Sequence, residues 1–148
     1  MSVLKTVVAF VAVAALAGCA AEGPLHKEVA ASIPTVPAGK GRVYFYRADT
    51  MFGAAVTSDI TLNGKVVGKS ERGSFFFIDE NPGSCMASAS TEVERKLSFT
   101  LAAGETKYVR SSVSMGVMVG RVNLELVSPG DAESAMTELH YTGTALKK

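Results

Sequence analysis

Tryptophan is absent, and 148 residues hold two cysteines and two histidines. A structural zinc site takes about four Cys or His ligands. This chain has that many in total, scattered at positions 19, 26, 85 and 140, so no metal site is expected. Surplus charge is also missing, with 15 Lys and Arg against 14 Asp and Glu. Lys5 lies in a segment argued below to be removed, which leaves 14 against 14. A nucleic-acid-binding domain needs a basic surplus to displace counterions from phosphates. Polybasic attraction to a membrane surface needs the same. Neutrality argues against both. No apolar run approaches the 20 or so residues of a membrane-spanning helix. Hydrophobic residues nevertheless make up 47% of the chain, enough for a core and too many for global disorder. The length fits one domain.

The N-terminus has its own pattern. Lys5 is followed by twelve apolar or small residues, Val7 to Gly18. That is the length of a signal-peptide core. It ends in Leu16-Ala17-Gly18-Cys19, which resembles the bacterial lipobox. The chemistry there needs a thiol, because sulfur is the nucleophile that takes the diacylglycerol group. Small residues at Ala17 and Gly18 admit the peptidase. The resemblance implies a signal peptide over 1–18 and lipid attachment at Cys19. Cys85 is then the remaining thiol, so an internal disulfide is excluded in the mature monomer. It reads as a buried small hydrophobe, with a reactive or intermolecular thiol as the alternative. In the sorting rule of enteric-type bacteria, Asp directly after the lipidated Cys favours inner-membrane retention. Ala20 stands there instead, which implies the inner leaflet of the outer membrane, facing the periplasm.

Residues 19–40 carry Pro24, Pro34 and Pro37 with Gly23, Gly39 and much alanine. They read as a flexible tether with, at most, a helical turn between His26 and Ile33. A free chain of that length spans roughly 25 Å, from about 5–6 Å times √n. From Gly41 onward the signals are strand and turn. Val43 and Phe45 alternate with Tyr44 and Tyr46, and Ile60 and Leu62 lead into Asn63-Gly64. Asn-Gly between apolar runs is a strong hairpin signal, because a type I′ turn needs positive φ at both central residues. Phe75-Phe76-Phe77-Ile78 suits a strand buried on both faces. Further alternation runs through Cys85–Ser90, Lys96–Leu101, Lys107–Arg110 and Val122–Leu126. About eight short strands with turns between them predict an antiparallel β-sandwich over 41–141. One helix closes it. Ala132, Ala135, Met136 and Leu139 share a face, Ser128 is placed to cap, and Pro129 takes the first helical position. Residues 142–148 read as a frayed tail.

The stretch Ile60 to Gly68, with Asn81-Pro82-Gly83, Leu97 to Leu101 and Gly104, resembles a PEGA-type module. Such modules are small transthyretin-like β-sandwiches of bacterial surface proteins, and the four-letter motif that names them is missing here. A closer resemblance covers most of residues 41–141. It rests on Arg42-Val43-Tyr44-Phe45-Tyr46-Arg47, Gly53-Ala54-Ala55, the Asn-Gly hairpin, Gly83, Tyr108-Val109-Arg110 and Met115 to Arg121. On these the chain resembles the small bacterial lipoproteins grouped as domain of unknown function 2846. The resemblance implies a lipid-anchored envelope protein and carries no reaction and no cofactor.

Catalytic patterns are thin. Neither His26 nor His140 has an H-E-x-x-H spacing, and each reads as a solvated or capping side chain. No Gly-x-Ser-x-Gly elbow, P-loop or dinucleotide fingerprint occurs. Gly116 and Gly120 have membrane-dimer spacing, but in a six-residue apolar stretch within a β context. Glu92 and Glu94 read as a solvated loop; calcium would need more oxygen ligands. Two apolar segments stand out, Met51 to Val56 and Met115 to Gly120. Such loops ordinarily fold back on the core. The alternative is a contact patch of Met51, Phe52, Met115 and Met118 with Arg47 and Arg121 as a cationic rim. The expected function is a non-enzymatic binding or interaction module anchored to the membrane by its lipid, with another envelope protein or a lipid headgroup region as partner. A purely structural envelope role is the alternative, and a hydrolytic enzyme a remote third. No signal for an oligomeric state is present.

Overall fold

The computed structural model describes residues 20–146. The expected signal peptide and Cys19 lie outside these residues, as do positions 147 and 148. A short helix α1 (His26–Val29) and a 3-10 turn (Ala30–Ser32) come first. Then follow β1 (Gly41–Arg47), β2 (Ser58–Leu62), β3 (Lys65–Ser70), β4 (Ser74–Glu80), β5 (Gly83–Ser90), β6 (Glu94–Leu101), β7 (Thr106–Ser114) and β8 (Arg121–Val127). Helix α2 (Pro129–Met136) and the two-residue β9 (His140–Tyr141) complete the described chain. The protein is mainly β, with two sheets in a sandwich-like arrangement, in orders β8-β7-β1-β4-β9 and β3-β2-β5-β6.

Strand alternation decides what each face of the first sheet buries. Phe45 of β1 stacks on Phe76 of β4, with ring centroids 5.2 Å apart, and both face the second sheet. That sheet comes so close at Gly68 that a Cβ there would lie 2.5 Å from the Phe76 ring. Val43, Ile60, Leu62, Ala87, Leu101 and Val109 belong to the same core. The outer face of the first sheet is aromatic. Tyr44 stacks on Tyr108 at 5.2 Å and lies 5.5 Å from Phe77, while Tyr141 packs on Phe75 and Phe77. Each such pair contributes about 0.5–1.5 kcal/mol beyond area burial. Helix α2 covers this face with Ala132 and Met136, and Tyr108 Oη donates to Glu133 at 3.0 Å. Burial on both sides explains why the Phe75–Phe77 run lacks alternation. Ser128 caps α2 by accepting from the Asp131 amide, with Pro129 in the first turn. Leu139, expected on the helix, lies beyond its end and is still buried.

Three features depart from expectation. First, the pairing is not wholly antiparallel: β1 runs parallel to β7 and β4 parallel to β9. Each pair is separated by several intervening strands, including strands of the other sheet, and β9 is reached from β8 through α2; such a long connection is what a parallel neighbour requires. Second, residues 20–34 do not form a free tether; they lie along the domain. Ala20 bridges to Arg72, and the Ala21 amide donates to the Arg72 carbonyl at 2.9 Å. The Tyr141 amide donates to Pro24 O, the His26 amide to Leu139 O, and Arg42 Nη1 to Pro34 O at 2.6 Å. The His26 ring meets Phe75 edge-on at 5.0 Å, and burial lowers its pKa. The free edge of β9 has backbone groups to satisfy, and the aromatic face has area to cover. Third, the tail is tied down to Leu146, which packs on the core, while the Thr142 amide donates to Phe75 O.

Candidate functional site

Two loops meet at one end of the sandwich. Residues 48–57 join β1 to β2, and residues 115–120 join β7 to β8. Because β1 and β7 run parallel, both loops leave the first sheet at the same end. Glycines let them close on each other. A Cβ on Gly53, whose φ is +68°, would lie 2.6 Å from the Val113 side chain. One on Gly120 would lie 2.7 Å from Val113 and 3.0 Å from Val56. A cavity of about 270 Å³ remains between the loops, lined by Phe52, Val56, Val113, Met115, Met118 and Val119.

The loop tips face solvent. Met51 is 79% exposed, Phe52 59%, Met115 81%, Val117 82%, Met118 85% and Val119 50%. Nine large apolar residues among the described residues are exposed, and six of them sit on these two loops. That concentration makes a patch, whereas single exposed hydrophobes are ordinary surface. The loops therefore do not fold back as lids on the core. From Thr50 to Thr57 and from Met115 to Gly120 no side chain is ionisable.

A single carboxylate shapes the second loop. Glu92, in the turn between β5 and β6, accepts from the Val117 amide at 2.7 Å and the Met118 amide at 2.8 Å. Its Oε1 also accepts from Arg121 Nε at 2.9 Å. The Met118 and Val117 amides, then Arg121, hold its pKa at about 2, well below the usual carboxylate range. Glu92 was legible only as a solvated loop residue; its partners lie 25 or more positions away, so no local spacing marks it.

Arg47 corrects one expectation. It is 3% exposed and forms no rim. Its guanidinium donates to the carbonyls of Val56, Gly53 and Ser70. Five fixed donors suit a site where loop carbonyls need partners away from water. Burial, reinforced by the nearby Arg72 cation, lowers its pKa. Arg121 does lie beside the patch, but paired to Glu92. Arg72 is a further cation at this end that no sequence pattern marks. Arg72 Nη1 meets Met51 Sδ at 3.2 Å, its Nε pairs with Asp49 at 2.7 Å, and its carbonyl holds Ala21. The N-terminal segment thus reaches the domain at the end that carries the apolar loops.

The remaining candidates do not gather into an acid–base site. His140 Nδ1 is bonded to Gly23 O at 2.6 Å, and among the described residues neither histidine is hydrogen-bonded to a carboxylate. Cys85 is buried and free, and burial pushes its thiol pKa up. A larger hollow of about 550 Å³ is lined by Phe77, Ile78, Asp79, Tyr141 and Leu146. Its one carboxylate is already held by Arg42 Nε and Nη2. Among the described residues no three His, Cys, Asp or Glu are grouped to hold a metal ion.

The fold and this end define a small, mainly β two-sheet domain with an apolar loop tip. The chain belongs to the family described as "Protein of unknown function (DUF2846)", which matches residues 37–122. That range holds both loops, Arg47, Glu92 and Arg121. A Haemophilus influenzae protein described as "Uncharacterized protein" is 29% identical over 103 residues, which are 69% of this chain and 61% of that one. The chain thus spans about three fifths of that relative's length. No solved structure matches it.

Proposed function

We propose that the chain is a membrane-anchored envelope lipoprotein, lipidated at Cys19, whose β-sandwich is an interaction module and not an enzyme. The observation that carries the module reading is the gathering of six exposed apolar side chains on two adjoining loops. A surface like that is costly to leave in water and is characteristic of a contact site. The anchor is supported by the sequence: Lys5, twelve apolar or small residues, then Leu16-Ala17-Gly18-Cys19. Ala20 directly after the acceptor favours the outer membrane over inner-membrane retention.

Cells expressing the full chain and grown with a labelled fatty acid test the anchor. The wild type should take up label and be processed before Cys19, while Cys19→Ala should accumulate as an unlabelled precursor. Normal labelling of Cys19→Ala removes the assignment. Fractionation tests the location: the wild type should follow outer membranes and Ala20→Asp should shift inward.

A further inference from the structure

We infer that the occupant of the two-loop patch is the bilayer that holds the chain's own anchor, so that the sandwich stands end-on in the membrane surface. The inference rests on the lipidation proposed above. It starts from where the chain joins the fold. Ala20, one peptide bond from Cys19, bridges to Arg72, and the Arg72 guanidinium touches Met51. The docked segment then runs away along β9 toward Arg42 at the other end. Anchor and patch therefore share one end of the domain, with no slack between them to hold the tips clear of the lipid.

The chemistry of the tips fits a bilayer. A segment entering lipid must satisfy its own backbone polar groups, because no water is there to do so. Glu92 takes the Val117 and Met118 amides. Arg47 takes the Gly53 and Val56 carbonyls. The Ala54 amide donates to Met51 O and the Val56 amide to Gly53 O. These bonds take up part of the loop backbone; among the described residues no protein donor reaches the 115–119 carbonyls, which suits shallow insertion at headgroup depth, where water still reaches them. The flanking cations are neutralised, Arg72 by Asp49 and Arg121 by Glu92. Contact should therefore depend on apolar insertion, to the depth of about 5–10 Å typical of interfacial segments, and little on anionic lipid or salt.

The absence of tryptophan makes the test direct. Val117→Trp places the chain's single indole on the patch, and Val66→Trp places one on exposed β3 beside the far hairpin. Each full-length lipidated protein is incorporated into vesicles of phosphatidylethanolamine and phosphatidylglycerol, with and without acyl-chain bromination. Thermal midpoints check that both variants fold. The Val117→Trp emission should move to the blue and be strongly quenched by brominated lipid, at low and high salt alike. The Val66→Trp emission should stay water-like. If the protein floats with the vesicles and both emissions stay water-like, the contact is refuted and the anchor stands. If mass analysis finds Cys19 unmodified and the protein does not float, both readings fall. A photocrosslinker at position 118 that captures a protein in intact cells, in place of lipid, assigns the patch to a protein partner and overturns the inference.

Discussion

Glu92 and Arg121 are joined at 2.9 Å, and the same carboxylate closes the 115–120 loop by taking the amides of Val117 and Met118. Three donors favour the ionised form, which is why the pKa falls to about 2. A depressed folded-state pKa contributes stability that is fully present above the unfolded value of about 4.3. The contribution is lost as pH falls through the folded value. The Val117 and Met118 amide resonances should therefore titrate with a midpoint near 2. In Glu92→Gln that titration should vanish, and both amides should exchange faster with solvent. A midpoint in the ordinary glutamate range would mean that the carboxylate does not hold the loop.

Arg42 and Asp79 face each other across β1 and β4 in a bidentate pair, at 2.7 and 2.9 Å. The guanidinium also donates to Pro34 O and lies 4.2 Å over the Phe77 ring. Arg42 is almost wholly buried, while the Asp79 side chain is 22% exposed. Asp79→Ala strands a cation in an apolar setting and should cost about 3 kcal/mol, the low end for a broken buried pair because water reaches one partner. The double change Arg42→Met, Asp79→Leu should recover most of that loss in urea unfolding. No recovery would mean that Asp79 acts through something other than the pair.

The Asn63-Gly64 turn offers a check on the fold. Asn63 has φ +51° and Gly64 φ +81°, and the flanking residues Leu62 and Lys65 pair directly. A Cβ on Gly64 would meet nothing within 4 Å, so a substitution there reports backbone strain alone. Gly64→Val should cost about 1–2 kcal/mol and lower the thermal midpoint by roughly 4–8 °C per kcal/mol. An unchanged midpoint would contradict the turn.

What was legible in the sequence was whatever is local. Alternation at Val43–Tyr46 and Lys96–Leu101, the unbroken Phe75–Ile78 run and the Ser128 cap each mark an element from neighbours a few residues apart. Direction was not legible, since alternation reads the same in a parallel or an antiparallel strand; β1 and β7 show this. Strand β9 has two residues, too few for any period, and exists because Ser74 and Phe75 offer a partner edge. At the patch, Met51, Phe52, Met115 and Met118 stood out because uncharged loops are unusual. The roles of Glu92, Arg47 and Arg72 were not legible, Arg47 reading as a surface rim and Glu92 as a solvated loop residue, because those roles lie in bonds to distant backbone groups and a thioether.

Gly23 tests whether docking of residues 20–34 positions the loops. Its φ is +138°, and a Cβ there would lie 2.3 Å from the Tyr141 carbonyl oxygen. The Gly23 carbonyl meets the His140 ring, and the next residue accepts the Tyr141 amide. Gly23→Val cannot keep these contacts, so the segment should peel from β9 while β1 and β7 keep theirs. The Ala21 and Tyr141 amides should then exchange faster, with the central β1 amides unchanged. A freed segment of about 15 residues spans roughly 20 Å as a flexible chain, enough to let the tips leave the bilayer. On vesicles, Gly23→Val combined with Val117→Trp should therefore show weaker quenching by brominated lipid than Val117→Trp alone, at equal vesicle binding. Equal quenching would mean that the apolar tips find the membrane unaided, and that the docked segment orients nothing.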